Sequence, residues 1–293
     1  MLQQNNRLGI ALMIATVFAY TLQDGFTRHL AGEYNVLMVV MIRYWFFAAF
    51  VLALALRRPE GFRAAITTRR PGLHLTRALL HTGEICVIVA SFTLIGLINT
   101  HAVFAVCPLI IAALSGPVLR EKVGLARWIA IAVGFAGIMV ILQPGSDLFN
   151  LLSILPLASA AMFALYSLLT RLATRSEPGF IAFFWSGVLG ALLMTLAGAG
   201  FWQPMSGADW GWTAVNGGLA ILSNWLMIRC YAVAEAGAVQ PFAYLQLVFI
   251  AIMGTLVFRE TLTTATVIGA AIVAGAGLFT LLATRRQPKE IAS

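Results

Sequence analysis

The feature that most restricts this chain is the recurrence of apolar runs, each about 20 residues long, separated by short polar connections. About 20 mostly apolar residues are what an α-helix needs to cross the hydrocarbon of a bilayer. In that medium every backbone N–H and C=O must be satisfied internally, so only helices and closed barrels span it. A barrel would alternate apolar and polar side chains in segments of about ten residues. The Leu, Ile, Ala and Val runs here do not alternate. Helical spans are therefore expected near residues 8–30, 35–56, 73–95, 99–119, 125–142, 151–172, 180–199, 212–234, 238–258 and 264–283.

Composition removes the soluble alternatives. Sixty per cent of the 293 residues are hydrophobic, 10% are charged and mean hydropathy is +0.90, which leaves too little polar surface to cover a water-soluble domain. Nineteen Lys and Arg exceed eleven Asp and Glu. They lie between the apolar runs rather than on one folded face, which argues against a nucleic-acid partner. Cys86, Cys107 and Cys230 all sit inside apolar segments, with no disulfide framework and no metal-ligand spacing. The stretch from Leu8 to Leu30 lacks a small-residue cleavage site after a short apolar core, and reads as the first span rather than a signal peptide.

Basic residues in short connections are retained on the cytoplasmic side. With both termini inside, that side collects Arg7, Arg57, Arg58, Arg63, Arg69, Arg70, Arg77, Arg120, Lys122, Arg127, Arg171, Arg175, Arg229, Arg285, Arg286 and Lys289. Only Arg28 and Arg259 fall outside, and Arg43 lies within the second span. A bacterial-type inner membrane with cytoplasmic termini is the expected setting. Trp202, Trp210 and Trp212 then flank an outer connection, where amphipathic rings favour the interface.

Shifting the chain by 139 positions sets Leu109–Glu121 against Val248–Glu260. Ile111/Ile250, Ala112/Ala251, Val118/Val257, Arg120/Arg259 and Glu121/Glu260 coincide. The Arg-Glu pair falls between the fourth and fifth spans of each half, which points to a duplication over residues 1–145 and 146–293. Five is an odd number, so the second half enters the bilayer from the opposite side. Inverted repeats place a substrate site near the midplane and expose it alternately by rocking. The expected fold is thus an all-α integral membrane protein of ten helices in two inverted five-helix repeats.

Asp24-Gly25 with Arg28, Arg43, the Arg69-Arg70-Pro71-Gly72-Leu73-His74 run, Pro108, Arg120-Glu121-Lys122-Val123-Gly124, Val133-Gly134-Phe135-Ala136-Gly137 and Arg259-Glu260-Thr261-Leu262 together resemble the drug/metabolite transporter superfamily, EamA type. The similarity covers nearly the whole chain. It implies a basket around a central cavity lined by helices 1, 3, 4, 6, 8 and 9. Its members include amino-acid exporters of the YddG-like group and importers of S-adenosylmethionine or other cofactors. Export of amino acids, aromatic ones among them, is the first expectation; uptake of a cofactor-like solute is the alternative. Pro108 has Leu247 as its counterpart, with Pro241 two turns earlier, so a gate built on paired prolines is not expected.

An ionisable group at mid-span costs about 2.5–3.5 kcal/mol on insertion scales and needs a partner or a wet cavity. Arg77, His81 and Glu84 follow i, i+4, i+7 spacing and share one face of the third helix. That face reads as a polar stripe in which His81 or Glu84 meets a ligand or a proton; the plainer reading is a carboxyl tied to a neighbouring helix. Asp24 and Arg43, at similar depth on adjacent helices, suggest an ion pair or gate, or merely a static clamp. Glu84 matches Ser223, and Asn224 beside it can read a ligand or serve as interhelical glue. Tyr244 and Gln246 point about 200° apart; Gln240 on the same face favours Tyr244 for the cavity. Tyr166 and Trp185 offer aromatic walls, although most membrane aromatics are packing residues. His101 reads as a vestibule or helix-start residue. The substrate-binding candidates are therefore His81, Glu84, Tyr166, Asn224 and Tyr244.

The last helices of each half carry only glycines of note, Gly134, Gly137, Gly269, Gly275 and Gly277, which permit close helix approach. Such small-residue faces allow self-association, but intramolecular packing explains them as well, and a monomer is the expected state. No Walker loop, His-Glu-x-x-His or Gly-x-Ser-x-Gly is present in the sequence, so neither ATP drive, nor an enzyme, nor a cofactor or metal is expected. A small-molecule substrate and the bilayer are the expected partners.

Overall fold

The computed structural model describes residues 6–119, 125–143, 151–174, 176–233 and 242–285. Helix occupies each of the ten expected regions. The helices are α1 (Asn6–Glu33), α2 (Val36–Leu56), a short α3 (Phe62–Ile66), α4 (Pro71–Ile95), α5 (Leu97–Phe104), α6 (Cys107–Leu119), α7 (Leu125–Leu142), α8 (Ile154–Thr174), α9 (Gly179–Gly198), α10 (Gly207–Val233), α11 (Leu245–Leu256) and α12 (Thr264–Arg285). The Arg120-to-Gly124 motif, Gln240 and Pro241 lie outside the described residues.

Helix ends follow local chemistry. The Asn35 side chain accepts from the Leu37 amide at 2.9 Å and caps α2. Pro71 opens α4, where its missing N–H costs nothing. At Gly96 the backbone turns to φ 87°, and a β-carbon there would lie 3.0 Å from the Glu260 carboxyl group. Only glycine satisfies both demands. α4 therefore stops and α5 starts at that point.

The fourth span is interrupted. Ala105 and Val106 form a turn between α5 and α6, because Pro108 cannot donate to the Phe104 carbonyl and the chain tightens to a Leu109 N–H to Val106 C=O bond of 2.9 Å. The ninth region is interrupted too, at Tyr244, where Leu247 N–H reaches the Tyr244 carbonyl at 3.1 Å. Positions 105 and 244 are 139 apart, the spacing expected of the repeat, although the proline itself does not recur at that spacing.

The most extensive packing pairs α1 with α10, α4 with α8, α2 with α9 and α7 with α12. α6 also packs on α8, α1 on α11, α4 on α9 and α2 on α10. Buried clusters fill the spaces between α2, α4 and α9, and between α5, α6, α7, α8 and α12. Large apolar side chains remain on outer faces, with Leu125, Leu196 and Leu256 at 76%, 77% and 77% exposure. Such a surface suits lipid and not water. Trp45 stacks on Trp202 with centroids 6.1 Å apart, and Trp210 lies tilted against Trp202 at 6.2 Å, at the connection expected to meet the interface.

The glycines divide differently from expectation. A β-carbon on Gly137 would lie 2.9 Å from the Gly269 carbonyl, and one on Gly269 would lie 2.6 Å from the Gly137 carbonyl. These two set the α7–α12 contact. Gly275 faces open space, and Gly277 instead gives room to the Tyr244 phenol. Gly269→Ala is expected to cost about 1–3 kcal/mol by overpacking, while Gly275→Ala leaves stability unchanged; unfolding of both variants in mixed micelles checks the contrast.

Candidate functional site

α4 directs His81 and Glu84 toward α8, as the spacing predicts. Glu84 is 4% exposed and accepts from the Ser159 hydroxyl at 3.1 Å. His81 Nδ1 stands 3.5 Å from the second carboxylate oxygen, near enough for charge attraction but not aligned as a hydrogen bond. The imidazole lies flat on Tyr166, centroids 4.3 Å apart and planes 6° apart, with Tyr44 edge-on at 6.4 Å. Arg77 places its guanidinium 5.3 Å from the centre of the Tyr166 ring. Three expected site residues, His81, Glu84 and Tyr166, are thus brought together.

The aromatic contacts continue beyond this group. Tyr166 meets Phe163 at 5.9 Å, Phe163 meets Phe104 at 5.7 Å, Phe104 meets His101 at 6.2 Å, and His101 stacks on Phe92 at 5.4 Å. His81, Tyr166, Phe163 and Phe104, on α4, α8 and α5, are each only partly buried. Aromatic rings stack with flat π-systems and attract cations. Of this strip, sequence reasoning found His81 and Tyr166 and missed Phe163 and Phe104. Tyr166 and Phe163, at i and i−3 on α8, were the available signal.

Asp24 and Arg43 do not pair. The Asp24 carboxylate faces His101, Nε2 to Oδ2 3.1 Å, and receives a Gln246 amide hydrogen bond of 3.4 Å. Arg43 is 8% exposed, with its guanidinium 5.9 Å from the Tyr44 ring and within electrostatic range of His81 and Cys86. Similar depth on neighbouring helices is insufficient: α2 turns Arg43 toward α4, and α5 fills the space beside Asp24. Gln246, rather than Tyr244, is the α11 side chain that reaches inward. The Tyr244 hydroxyl lies against Gly277 of α12. Asn224 donates to the Ala220 carbonyl of its own helix at 2.8 Å, while Ser223 binds Gln23 of α1 at 2.9 Å. Trp185 donates to the Ile66 carbonyl at 2.9 Å and anchors α3.

Toward the arginine-rich end, Arg77 is 1% exposed and joins three helices, α4, α8 and α9. It donates to Thr170 Oγ1 at 3.0 Å, His74 Nδ1 at 2.9 Å, the Ala182 carbonyl at 3.4 Å and Ser186 Oγ at 3.3 Å. Guanidinium only donates, so His74 Nδ1 is the acceptor, and its Nε2–H donates to Glu177 at 2.8 Å. Glu177 also accepts from the Arg69 amide at 2.7 Å and Thr68 at 2.8 Å. Burial alone pushes the Glu177 carboxyl upward, but the bonds from His74, Arg69 and Thr68 outweigh it and hold the group below its usual 4.5. A depressed carboxylate contributes stability above its unfolded value and loses it as pH falls through the folded one. Acidification below about pH 4.5 should therefore lower the unfolding midpoint in micelles, and Glu177→Gln should flatten that acid limb.

At the other end Glu260 pairs with Arg28 and accepts the Leu97 and Ile98 amides, each at 2.8 Å. It caps α5, where a negative charge meets unpaired amides and the positive end of the helix dipole. The Arg-Glu repeat thus has a structural job in its second copy.

A family model described as the EamA-like transporter family matches residues 7–143 and again 151–282. The chain is 28% identical over 267 residues to a riboflavin transporter of Vibrio cholerae, covering 90% of each protein. It is 32% identical to a riboflavin transporter of Rhizobium johnstonii, covering 83% of this chain and 80% of that one. An S-adenosylmethionine uptake transporter of Rickettsia prowazekii is 23% identical over 95% of this chain and 94% of its own. A solved structure superposes with a TM-score of 0.68 at 16% identity, over 97% of this chain and all of the other. That last likeness concerns the fold alone.

Proposed function

The chain belongs to the EamA-like transporter family, and from that premise we propose that it takes up a flat heteroaromatic, cofactor-like solute, with riboflavin the leading cargo. The family makes it a multi-pass membrane transporter and not an enzyme. The observation that carries the cargo class is the strip His81–Tyr166–Phe163–Phe104. An isoalloxazine ring stacks on such a surface, and Glu84 with Ser159 at its edge can bond ring nitrogens or ribityl hydroxyls. Amino-acid export, the first expectation from the sequence, is set aside in favour of the uptake alternative: the relatives carry cofactor-like solutes by name, and nothing about the strip requires an amino-acid backbone.

Alternating access is supported by the pairing of helices. Exchanging the halves turns the α1–α10 contact into α8–α4, α6–α8 into α11–α1 and α4–α9 into α10–α2, while α2–α9 and α7–α12 map onto themselves. Inverted repeats spanning residues 1–145 and 146–293 account for that exchange and for the matched breaks at 105 and 244. The arginine distribution orients the bundle in an inner membrane with both termini cytoplasmic. Purified protein in liposomes preloaded with unlabelled riboflavin tests the reading. Saturable entry of labelled riboflavin by counterflow is expected, competed by riboflavin and not by tryptophan. Counterflow of tryptophan without riboflavin would restore amino-acid transport.

A further inference from the structure

We propose that Asp24 and His101 form a proton-binding site that couples cargo movement to a proton gradient. The inference rests on the carrier reading above but not on the identity of the cargo. Asp24 lies within a span, where an ionised carboxylate needs strong compensation. Its partners are weak. His101 Nε2 approaches to 3.1 Å without an aligned hydrogen bond although His101 is only 5% exposed, and Gln246 reaches the same oxygen at 3.4 Å. Two other carboxylates are better served: Glu260 has Arg28 and two amides, and Glu177 has His74, Thr68 and the Arg69 amide. Glu84, with Ser159 at 3.1 Å and an unaligned His81 at 3.5 Å, is bonded much as Asp24 is, at the far end of the aromatic strip. A partly buried carboxylate and a buried imidazole left this close and this poorly bonded have room for one more proton between them.

The surrounding charges do not substitute for that proton. On α1 itself, Arg28 is committed to Glu260 beyond the helix break. From α2, Arg43 lies over Tyr44. α4 faces His101 with the Phe92 ring, and Glu84 and His81 sit at the far end of the aromatic strip. α10 meets α1 through Asn216 and Ser223, bonded to Thr27 and Gln23. α11 contributes Gln246; α12 meets α5 through Thr266, bonded to Asn99; α7 and α8 contribute apolar contacts and Phe163. No fixed cation among these described groups is bonded to Asp24.

Position gives the proton a consequence. Asp24 and His101 belong to the first half, whereas Gln246 belongs to α11 of the second. The ionised carboxylate accepts the Gln246 amide and ties the halves together at this depth. Adding a proton from water on one side forms an O–H bond on the Asp24 carboxylate, neutralises it and weakens the Gln246 bond; returning that proton to water on the other side restores the tie. One proton enters and one leaves, with no other chemistry.

Two measurements test the site. Infrared difference spectra of the purified protein between acidic and neutral buffer, with no cargo present, should contain a protonated-carboxyl C=O band that Asp24→Asn removes and that His101→Gln, which keeps the carboxyl, shifts along the pH axis. The same band persisting unshifted in both variants overturns the proposal whatever the protein carries. In liposomes, a one-unit pH step coupled to one proton should drive about tenfold accumulation of riboflavin. Asp24→Asn should reduce that accumulation to onefold while riboflavin counterflow persists. Gradient-driven accumulation that survives in Asp24→Asn refutes the coupling; absence of counterflow for riboflavin in the unmodified protein refutes the cargo assignment alone, because the infrared result stands without it.

Discussion

Replacing Arg77 with alanine will destabilise the protein by about 3–5 kcal/mol, the cost of breaking a buried charged network by removing one member. Arg77 is among the largest fully buried side chains of the described residues, and its guanidinium bonds α4 to Thr170 of α8 and to Ala182 and Ser186 of α9. Without it, His74 Nδ1 loses its donor while Nε2 remains bound to Glu177. A buried acceptor is then left unsatisfied, and the tilt of three helices is no longer fixed. Arg77→Lys keeps the charge but not the planar fork, so it should recover only part of the loss. Detergent-driven unfolding in mixed micelles, followed by tryptophan fluorescence, measures both variants. A midpoint for Arg77→Ala equal to that of the parent would show that the network contributes no net stability.

Arg77 also illustrates what the sequence discloses. Its spacing from His81 and Glu84 put all three on one helical face, because i, i+4, i+7 geometry is local. The limits of the spans were equally legible, since hydrocarbon thickness sets helix length and breaks show as Gly, Pro and charge. What the chain does not display is which residues meet across helices. Asp24 was expected to find Arg43 because both lie at one depth, yet depth says nothing about rotation. α1 directs Asp24 to α5 and α11, and α2 directs Arg43 to Tyr44. Tyr244 and Gln246 were expected to oppose one another on one continuous helix, but Tyr244 lies at the break before α11, and its phenol fills a slot that Gly277 opens on α12. That slot is a property of Gly277, 33 residues further along the chain than Tyr244.

The paired interruption of the fourth and ninth regions shows the same limit from the other direction. Pro108 explains the break at Ala105 and Val106, and its replacement by Leu247 argued only against a gate built on paired prolines. The turn at Tyr244 occurs nonetheless. A break can thus be kept by packing where its local cause differs. His101 sits just before the first break and Gln246 just after the second, and Asp24 touches both. Discontinuous helices free backbone and side chains at mid-bundle, which is where carriers place their binding groups.

Tyr166 is where the cargo proposal is most exposed to test. Stacking of a heteroaromatic ring on one aromatic side chain is worth about 1–3 kcal/mol by alanine replacement, so Tyr166→Ala should weaken riboflavin binding by roughly 5- to 150-fold. The ring matters and the hydroxyl does not, since His81 and Arg77 both engage the face of Tyr166. Tyr166→Phe should accordingly bind within about twofold of the parent, a difference smaller than RT ln 10. Isoalloxazine fluorescence is quenched when the ring stacks on an aromatic side chain, so titration of riboflavin with purified protein reads the contact directly. Trp185→Phe is the matching control: Trp185 is tied to Ile66 on α3, away from the strip, and its replacement should leave both affinity and quenching unchanged. Equal affinity for the parent and Tyr166→Ala, with quenching intact, would mean that the flavin binds elsewhere and that the strip is packing between α4, α5 and α8.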